Sequence, residues 1–412
     1  MPDFRPFPAL RYFPGTDLSA VLAPPYDVLS AHAVDRLHAR HPHNITHVDV
    51  PEDHDYAQAG AMLALWVDQG VLVADTEDSF SIYRMSFVDE TGASREIQGV
   101  LGGLEVVDYP VGPIDPMSAN TRASTVLPHE RTTDKASTDR LELMRATSCN
   151  TSPVWGLSLA SGLTDALSEP GELLGSVETD GVTHRIERVS DPARVATIRQ
   201  ILASDDVLIA DGHHRYGVSR IYRNDIREAT GRTDTPAEQT LTFVGELIED
   251  QLSIEAIHRL YSGVGAEDLR RGLAAFFDFS PVEEIGPDTL AAMVRLGRLV
   301  VVWPDGSAEW LSPKPGVFDD VRSLDGVWLE TALSEVPVEV AYQHGLAETM
   351  ECASSGDFTA AILIRPTSID EIRRTAREGL LMPPKSTFFT PKLLTGWVVR
   401  PTEPLPGHEP IV

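Results

Sequence analysis

The chain reads as an α/β (α+β) protein built on mixed sheets, and three observations carry that reading. Its 412 residues contain 42% hydrophobic side chains, the composition of a globular chain with room for two or three cores. Short apolar runs of strand length alternate with segments of helical period from one end to the other. The segment 206–222, Asp206-Val-Leu-Ile-Ala-Asp211-Gly-His-His-Arg215-Tyr-Gly-Val-Ser-Arg-Ile-Tyr222, passes from a buried strand through a turn into a helix.

Residues 1–30 are rich in proline and include the turn-forming Ala23-Pro24-Pro25-Tyr26-Asp27-Val28. Helical spacing follows at 30–40, with Val34, Leu37 and His38 on one face. It returns at 56–69, where Met62, Leu65 and Trp66 align and Gly70 stops the helix. From 79 to 107 the pattern is an antiparallel hairpin, with Phe80, Ile82 and Tyr83, then Met85 and Phe87, a turn at Glu90-Thr91-Gly92, and a return through Ile97. A polar segment over 108–152 carries Pro110, Pro113, Pro116 and Pro128, the stretch Leu127-Pro128-His129-Glu130-Arg131-Thr132-Thr133, and a helix predicted over 137–146. Strands are expected at 153–159, 184–189 and 207–210, a helix over 192–203, and a surface loop over 230–238. The run 240–248 reads as a buried strand or a helix start. Beyond Gly263, helices are predicted at 266–276 and 368–379, and strands at 298–303, 336–341, 360–364 and 397–399. Pro337 puts the 336–341 strand at an edge. The segment Leu381-Met-Pro-Pro-Lys385-Ser-Thr-Phe-Phe389-Thr-Pro-Lys392 breaks every periodic pattern. The pieces group into three regions, 1–108, 109–262 and 263–412.

Sixty-two acidic against 34 basic side chains give a formal charge of −28, which repels nucleic acid and anionic membrane surfaces. The longest basic clusters are the pairs Arg270-Arg271 and Arg373-Arg374. Apolar runs fall short of the roughly 18 residues of a membrane span. Two cysteines, Cys149 and Cys352, make no disulfide framework. The opening Met1-Pro-Asp-Phe-Arg-Pro-Phe-Pro8 lacks the charged and apolar parts of a signal peptide. A cytoplasmic protein with neither nucleic-acid nor membrane partners is expected.

The candidate chemistry begins where the strand 207–210 hands over to its helix. Backbone N–H groups are unpaired at a helix start and the helix dipole favours an anion there. Gly212 lets backbone approach such an anion, and Arg215 supplies a two-pronged donor beside His213 and His214. The competing reading is an ordinary helix start capped by Asp211. His129-Glu130-Arg131 puts an imidazole, a carboxylate and a guanidinium on a proline-marked loop, where the alternative is a helix cap or surface ion pair. Tyr26-Asp27 belongs either to a substrate site or to a turn, and Lys385-Ser386-Thr387 either to a lid over phosphates or to a strap. Cys149, in Thr147-Ser148-Cys149-Asn150, has no thiol-enzyme pattern around it, and GxSxG, GxGxxG and Walker-type loops are absent.

Together these segments resemble a bacterial and archaeal family known as domain-of-unknown-function family 1015. The residues that carry the resemblance are Ala23-Pro-Pro-Tyr-Asp-Val28, His129-Glu-Arg-Thr132 with Asp139-Arg140, Ser152-Pro153, Ala210-Asp-Gly-His-His-Arg-Tyr216, and Met382-Pro-Pro-Lys-Ser-Thr-Phe-Phe389 with Pro391-Lys392. They span nearly the whole chain. One stretch departs from the family pattern: Glu255-Ala-Ile-His258-Arg259 keeps the histidine and arginine of a Pro-Thr-His-Arg motif but not its first two residues. The DGHHR turn is also similar to the Gly-x-x-Arg phosphate-binding signature of ParB and sulfiredoxin-like proteins. That resemblance implies a ParB/sulfiredoxin-like core in region 109–262 and a nucleotide or phosphate ligand.

Phosphoryl transfer needs positioned cations, usually a metal, and a carboxylate that orients or deprotonates the nucleophile. The expected catalytic groups are therefore Glu130, His129, Asp211 and Lys385. Gly212, His213, His214, Arg215, Arg131 and Lys392 would hold phosphate or nucleotide, and Tyr26, Asp27, Ser386 and Thr387 the substrate. Mg²⁺ and a nucleoside triphosphate or diphosphate are the expected cofactors. The function that follows is phosphoryl transfer to, or phosphate-ester hydrolysis of, a small molecule such as serine or phosphoserine, by a kinase or a phosphatase. A nucleotide-responsive regulator without DNA contact, and a metal-dependent hydrolase using His129, His213, His214 and Asp211, are the alternatives.

Overall fold

Apolar residues spaced two apart drive the hairpin that their pattern predicts, Phe80–Val88 against Ser94–Glu105. The computed structural model describes residues 1–88, 93–108, 125–128, 137–383 and 385–403, and among these the hairpin is part of a nine-stranded mixed sheet. The order across it is Val126–Pro128, Val207–Asp211, Val154–Ser158, Gln239–Glu246, Ser94–Glu105, Phe80–Val88, Val182–Val189 and Glu172–Thr179, with Phe4–Arg5 added to Ser94–Glu105. Val207–Asp211 runs parallel to Val126–Pro128 and antiparallel to Val154–Ser158, and Gln239–Glu246 is parallel to Val154–Ser158. Burial on both faces suits these central strands. The expected regions 1–108 and 109–262 thus contribute to one sheet.

One face of the sheet forms a core in which Phe80, Ile82, Val100, Leu104, Val207 and Ile209 meet Ile198 and Leu202 of the helix Pro192–Leu202. The other face is aromatic. Trp155 packs edge-on against Phe243 at 5.2 Å, and Tyr83 meets Phe243 at 6.0 Å and Trp397 at 6.1 Å. Helices Ala31–Arg40, Tyr56–Asp68 and Ser137–Thr147 appear within a residue or two of where their periodicity puts them, and the helix after the Asp211-Gly212 turn, His213–Thr230, runs on past the spacing read to Tyr222.

The chain divides into two compact units. The first contains Met1–Leu252, Arg373–Leu381 and Pro391–Val412; the second contains Ser253–Ile372 and Met382–Thr390. In the second, an antiparallel sheet runs in the order Phe277–Pro281, Ala308–Pro313, Leu299–Val302, Ala360–Leu363, Ile257–Ser262 and Glu339–His344. Glu339–His344 is an edge strand, and Pro337 precedes it. A strand expected at 397–399 is instead a strap: Val399 makes an isolated bridge to Leu10, and regular pairing starts at Arg400–Pro401 against Cys149–Asn150. Its Trp397 covers the aromatic face, and only Val399 pairs with a strand, at Leu10. No helix among the described residues is long and apolar enough to cross a membrane.

Two buried histidines are neutral in this fold. The Tyr83 hydroxyl and His184 Nδ1 lie 2.8 Å apart, and Ile364 N–H donates to His258 Nδ1 at 3.2 Å. Burial pushes each imidazole down to about 4, whereas an unfolded chain protonates near 6.5. Their neutral forms therefore support the fold fully above about pH 6.5, and that support drains away as pH falls toward 4. Each should cost its unit about 2 kcal/mol of stability at pH 5 relative to pH 7.5. Denaturant unfolding of wild type and H184Q at the two pH values checks this: the variant should lose less on acidification, and equal losses would contradict the assignment.

Candidate functional site

The strand Val207–Asp211 ends at a residue whose carboxylate turns the chain. Asp211 Oδ1 accepts the Gly212 N–H at 2.8 Å, and Gly212, at φ +83°, opens the helix His213–Thr230. Two constraints select glycine at 212. The positive φ costs an L-residue about 1–2 kcal/mol, and a Cβ there would lie 2.9 Å from Arg215 Nε. Arg215 therefore folds back over the turn. Tyr216, fully buried, fixes the helix to the sheet by donating to the Glu105 carbonyl and accepting the Val107 N–H, each at 2.9 Å.

Charged groups from five segments gather at this corner within the first unit. Arg215 Nη1 donates to the Pro153 carbonyl, while Nη2 lies 3.6 Å from Asp211 Oδ2 and 3.9 Å from Asp27 Oδ2. Its side chain is 10% exposed, and its buried Nε–H has no acceptor among the described residues. Lys392 Nζ donates to Asp211 Oδ2 at 2.9 Å. Arg140 lies 4.1 Å over the Tyr26 ring and donates to the Asp49 carbonyl and carboxylate, each at 2.6 Å. Thr151 also donates to Asp49, at 2.6 Å.

Burial alone would raise the Asp211 carboxyl, but Lys392 and then Arg215 outweigh it and hold the group well below the usual carboxylate range. Burial works against the Arg215 charge, and Asp211 and Asp27 restore it. Burial raises the Tyr26 hydroxyl, with Arg215 and Arg140 opposing. Three cations, Arg140, Arg215 and Lys392, thus face three aspartates, 27, 49 and 211. Behind Arg215 a cavity of about 30 Å³, bordered by Arg140, Asn150, Ser152, Ser219 and Thr240, has room for about one water.

The structure therefore brings together Tyr26, Asp27, Asp211, Gly212, Arg215 and Lys392. His213 is buried and His214 half-buried on the first turn of the same helix. His129, Glu130 and Arg131 lie outside the described residues; the strand before them ends with Pro128 beside Ile209. Lys385, Ser386 and Thr387 belong to the second unit. There Arg259 donates through both terminal nitrogens to the Lys385 carbonyl at 3.2 Å, and Lys385 is left-handed at φ +59°. Thr367 donates to the Ser386 carbonyl at 2.9 Å, and Thr387 is buried. His258 and Arg259, kept where the family's proline and threonine are not, are thus both structural hydrogen-bonding groups. Arg140, Asp49 and the Pro153 carbonyl escaped sequence reasoning as site groups. Arg140 and Pro153 carried a motif signal, whereas Asp49, in Thr46–Asp49, carried none. No set of three His, Cys, Asp or Glu side chains among the described residues is arranged to hold a metal ion.

Replacing Gly212 by alanine should destabilise the protein by about 1–2 kcal/mol and displace Arg215. Chemical denaturation reads the first effect, and unchanged stability would show that the turn tolerates a side chain.

A profile of the family described as Protein of unknown function (DUF1015) matches residues 4–327. No curated protein matches the chain. Similar solved structures include a conserved hypothetical protein from Pyrococcus furiosus, at 11% identity and TM-score 0.35, covering 65% of this chain and 87% of that one. A free serine kinase in complex with AMP aligns at 13% identity and TM-score 0.36, covering 65% and 84%. SbnI with C-terminal truncation from Staphylococcus aureus aligns at 14% identity and TM-score 0.35, covering 66% and 83%. With the matched profile spanning residues 4–327 of the 412, the chain belongs to the DUF1015 family.

Proposed function

We propose that the corner around Arg215 binds the phosphate of a nucleotide or phosphorylated metabolite, and that the protein transfers or hydrolyses a phosphoryl group on a small molecule. The observation that carries this is the meeting of Asp27, Arg140, Asp211, Arg215 and Lys392 at the start of the helix His213–Thr230. Such a site supplies what phosphoryl transfer needs, fixed cations for the phosphate charge and carboxylates for the nucleophile. Arg215 is suited to the part because its Nε–H lacks an acceptor among the described residues and its contacts to both carboxylates are long. A phosphate oxygen would complete its donors. The Gly212-x-x-Arg215 turn then works as ParB and sulfiredoxin-like turns do, with His213, His214, Arg131 and Lys392 sharing the phosphate charge.

Asp211 or Glu130 serves as base or as ligand to Mg²⁺, whose preference for oxygen donors both satisfy, and Tyr26 and Asp27 contact the substrate. Lys385, Ser386 and Thr387 enter this reading from the sequence alone. A purely structural ion network is the rival account, since a buried charge must be paired whether or not a ligand comes.

Calorimetric titration of ATP, ADP and pyrophosphate with Mg²⁺ separates the two. R215A should weaken binding by about 1.5–3 kcal/mol. Equal affinity of wild type and variant, or no binding by wild type, would leave the network as scaffold.

A further inference from the structure

Lys392 and Asp27 reach the corner from opposite ends of the chain, and one buried oxygen sits where their segments cross. The strap that follows Lys392 turns its Leu394 N–H and the Trp397 indole N–H onto the Tyr83 hydroxyl, at 3.0 and 3.2 Å. Having accepted two hydrogen bonds, that oxygen has its own proton to donate, and His184 Nδ1 is 2.8 Å away. Tyr83 and His184 are 1% and 2% exposed, so bulk water does not compete for these hydrogen bonds and losing one leaves a buried group unsatisfied. Between Leu394 and Trp397, Thr395 pairs with Ala23: its N–H donates to the Ala23 carbonyl at 2.8 Å, and its carbonyl accepts the Ala23 N–H at 3.3 Å. Ala23 begins the Pro24-Pro25 turn that ends in Tyr26 and Asp27. Gly396, at φ +100°, lets the strap lie close: a Cβ there would stand 3.0 Å from Leu22 and 3.2 Å from Ile45.

We infer that the Tyr83 hydroxyl, oriented by His184, is the positioning group of the corner: it fixes the strap that delivers Lys392 to Asp211 and, through the Ala23 bridge, the turn that brings Asp27 to Arg215. The inference rests on Lys392 and Asp27 being site groups, but its geometry can be tested without a ligand. Tyr83→Phe removes the acceptor of both N–H groups and leaves the ring. His184→Leu removes the acceptor of the hydroxyl proton, whereas His184→Gln retains one.

Acetic anhydride labelling of the full chain, with Lys392 read by peptide mass spectrometry against exposed Lys385, measures whether the ammonium stays on Asp211. Wild type and H184Q should label Lys392 slowly and within twofold of each other. Y83F and H184L should label it at least tenfold faster, while I82V, which trims the opposite face of the same strand, should keep the wild-type rate. Wild-type labelling in folded Y83F, or H184Q labelling as fast as H184L, would overturn the inference. Should Y83F fail to fold, the two His184 variants decide it. Faster labelling in a protein that binds no nucleotide or pyrophosphate would sustain the positioning role and remove the proposed function instead.

Discussion

The contact between Lys392 and Asp211, with Arg215 over the same carboxylate, is the constraint from which the rest of the site follows. Desolvated charges must be paired or they unfold what holds them, and removing one member of a buried pair costs about 3–5 kcal/mol. Asp211 cannot leave the end of its strand without freeing the Gly212 N–H that it caps. The cations must therefore come to it, one from the helix that Gly212 starts and one from the far end of the chain. Arg215 then recruits Asp27 and the Pro153 carbonyl. The resulting group is electrically balanced at rest, which is how a protein of charge −28 keeps three cations in one place.

The folds around the corner serve rigidity more than volume. The adjoining cavity has room for about one water, so among the described residues the site is a charged corner at a helix start and not the deep apolar pocket common in ligand-binding proteins. Tyr216 bolts the helix to the sheet, and the strap closes over the aromatic face. The second unit treats the MPPKSTFF segment in the same manner: Arg259 and Thr367 grip the carbonyls of Lys385 and Ser386 and hold a lysine in a conformation it would otherwise avoid.

Period and turn chemistry made much of this architecture legible. The paired strands 80–88 and 94–105 carry apolar residues at strand spacing, and the segment 207–222 carries an apolar run, an Asp-Gly pair and 3.6-residue spacing. Glu172–Thr179 was missed because an outer strand with few buried residues has little hydrophobic pattern to read. Residues 397–399 look like a strand by composition, and only the aromatic face of another strand decides that they lie across it as a strap. At the site, the kinds of residue were legible and their meeting was not. Nothing local in Pro-Lys392 or Pro-Tyr-Asp27 says that both lie against Arg215, since that follows from sheet order and from the Ala23–Thr395 bridge. Asp49 was invisible because a single aspartate in a short helix carries no signal until Arg140 is seen to reach it.

If the corner is an anion receptor, Asp211 competes with the ligand for Arg215 and Lys392 in the absence of a metal. Titration of Mg²⁺-free pyrophosphate into wild type and D211N tests this most directly. Neutralising a carboxylate within 4 Å of two cations should tighten pyrophosphate binding by about tenfold or more, even as the apo protein loses stability. Binding that is unchanged or weaker in D211N would contradict the account and leave the cluster as scaffolding.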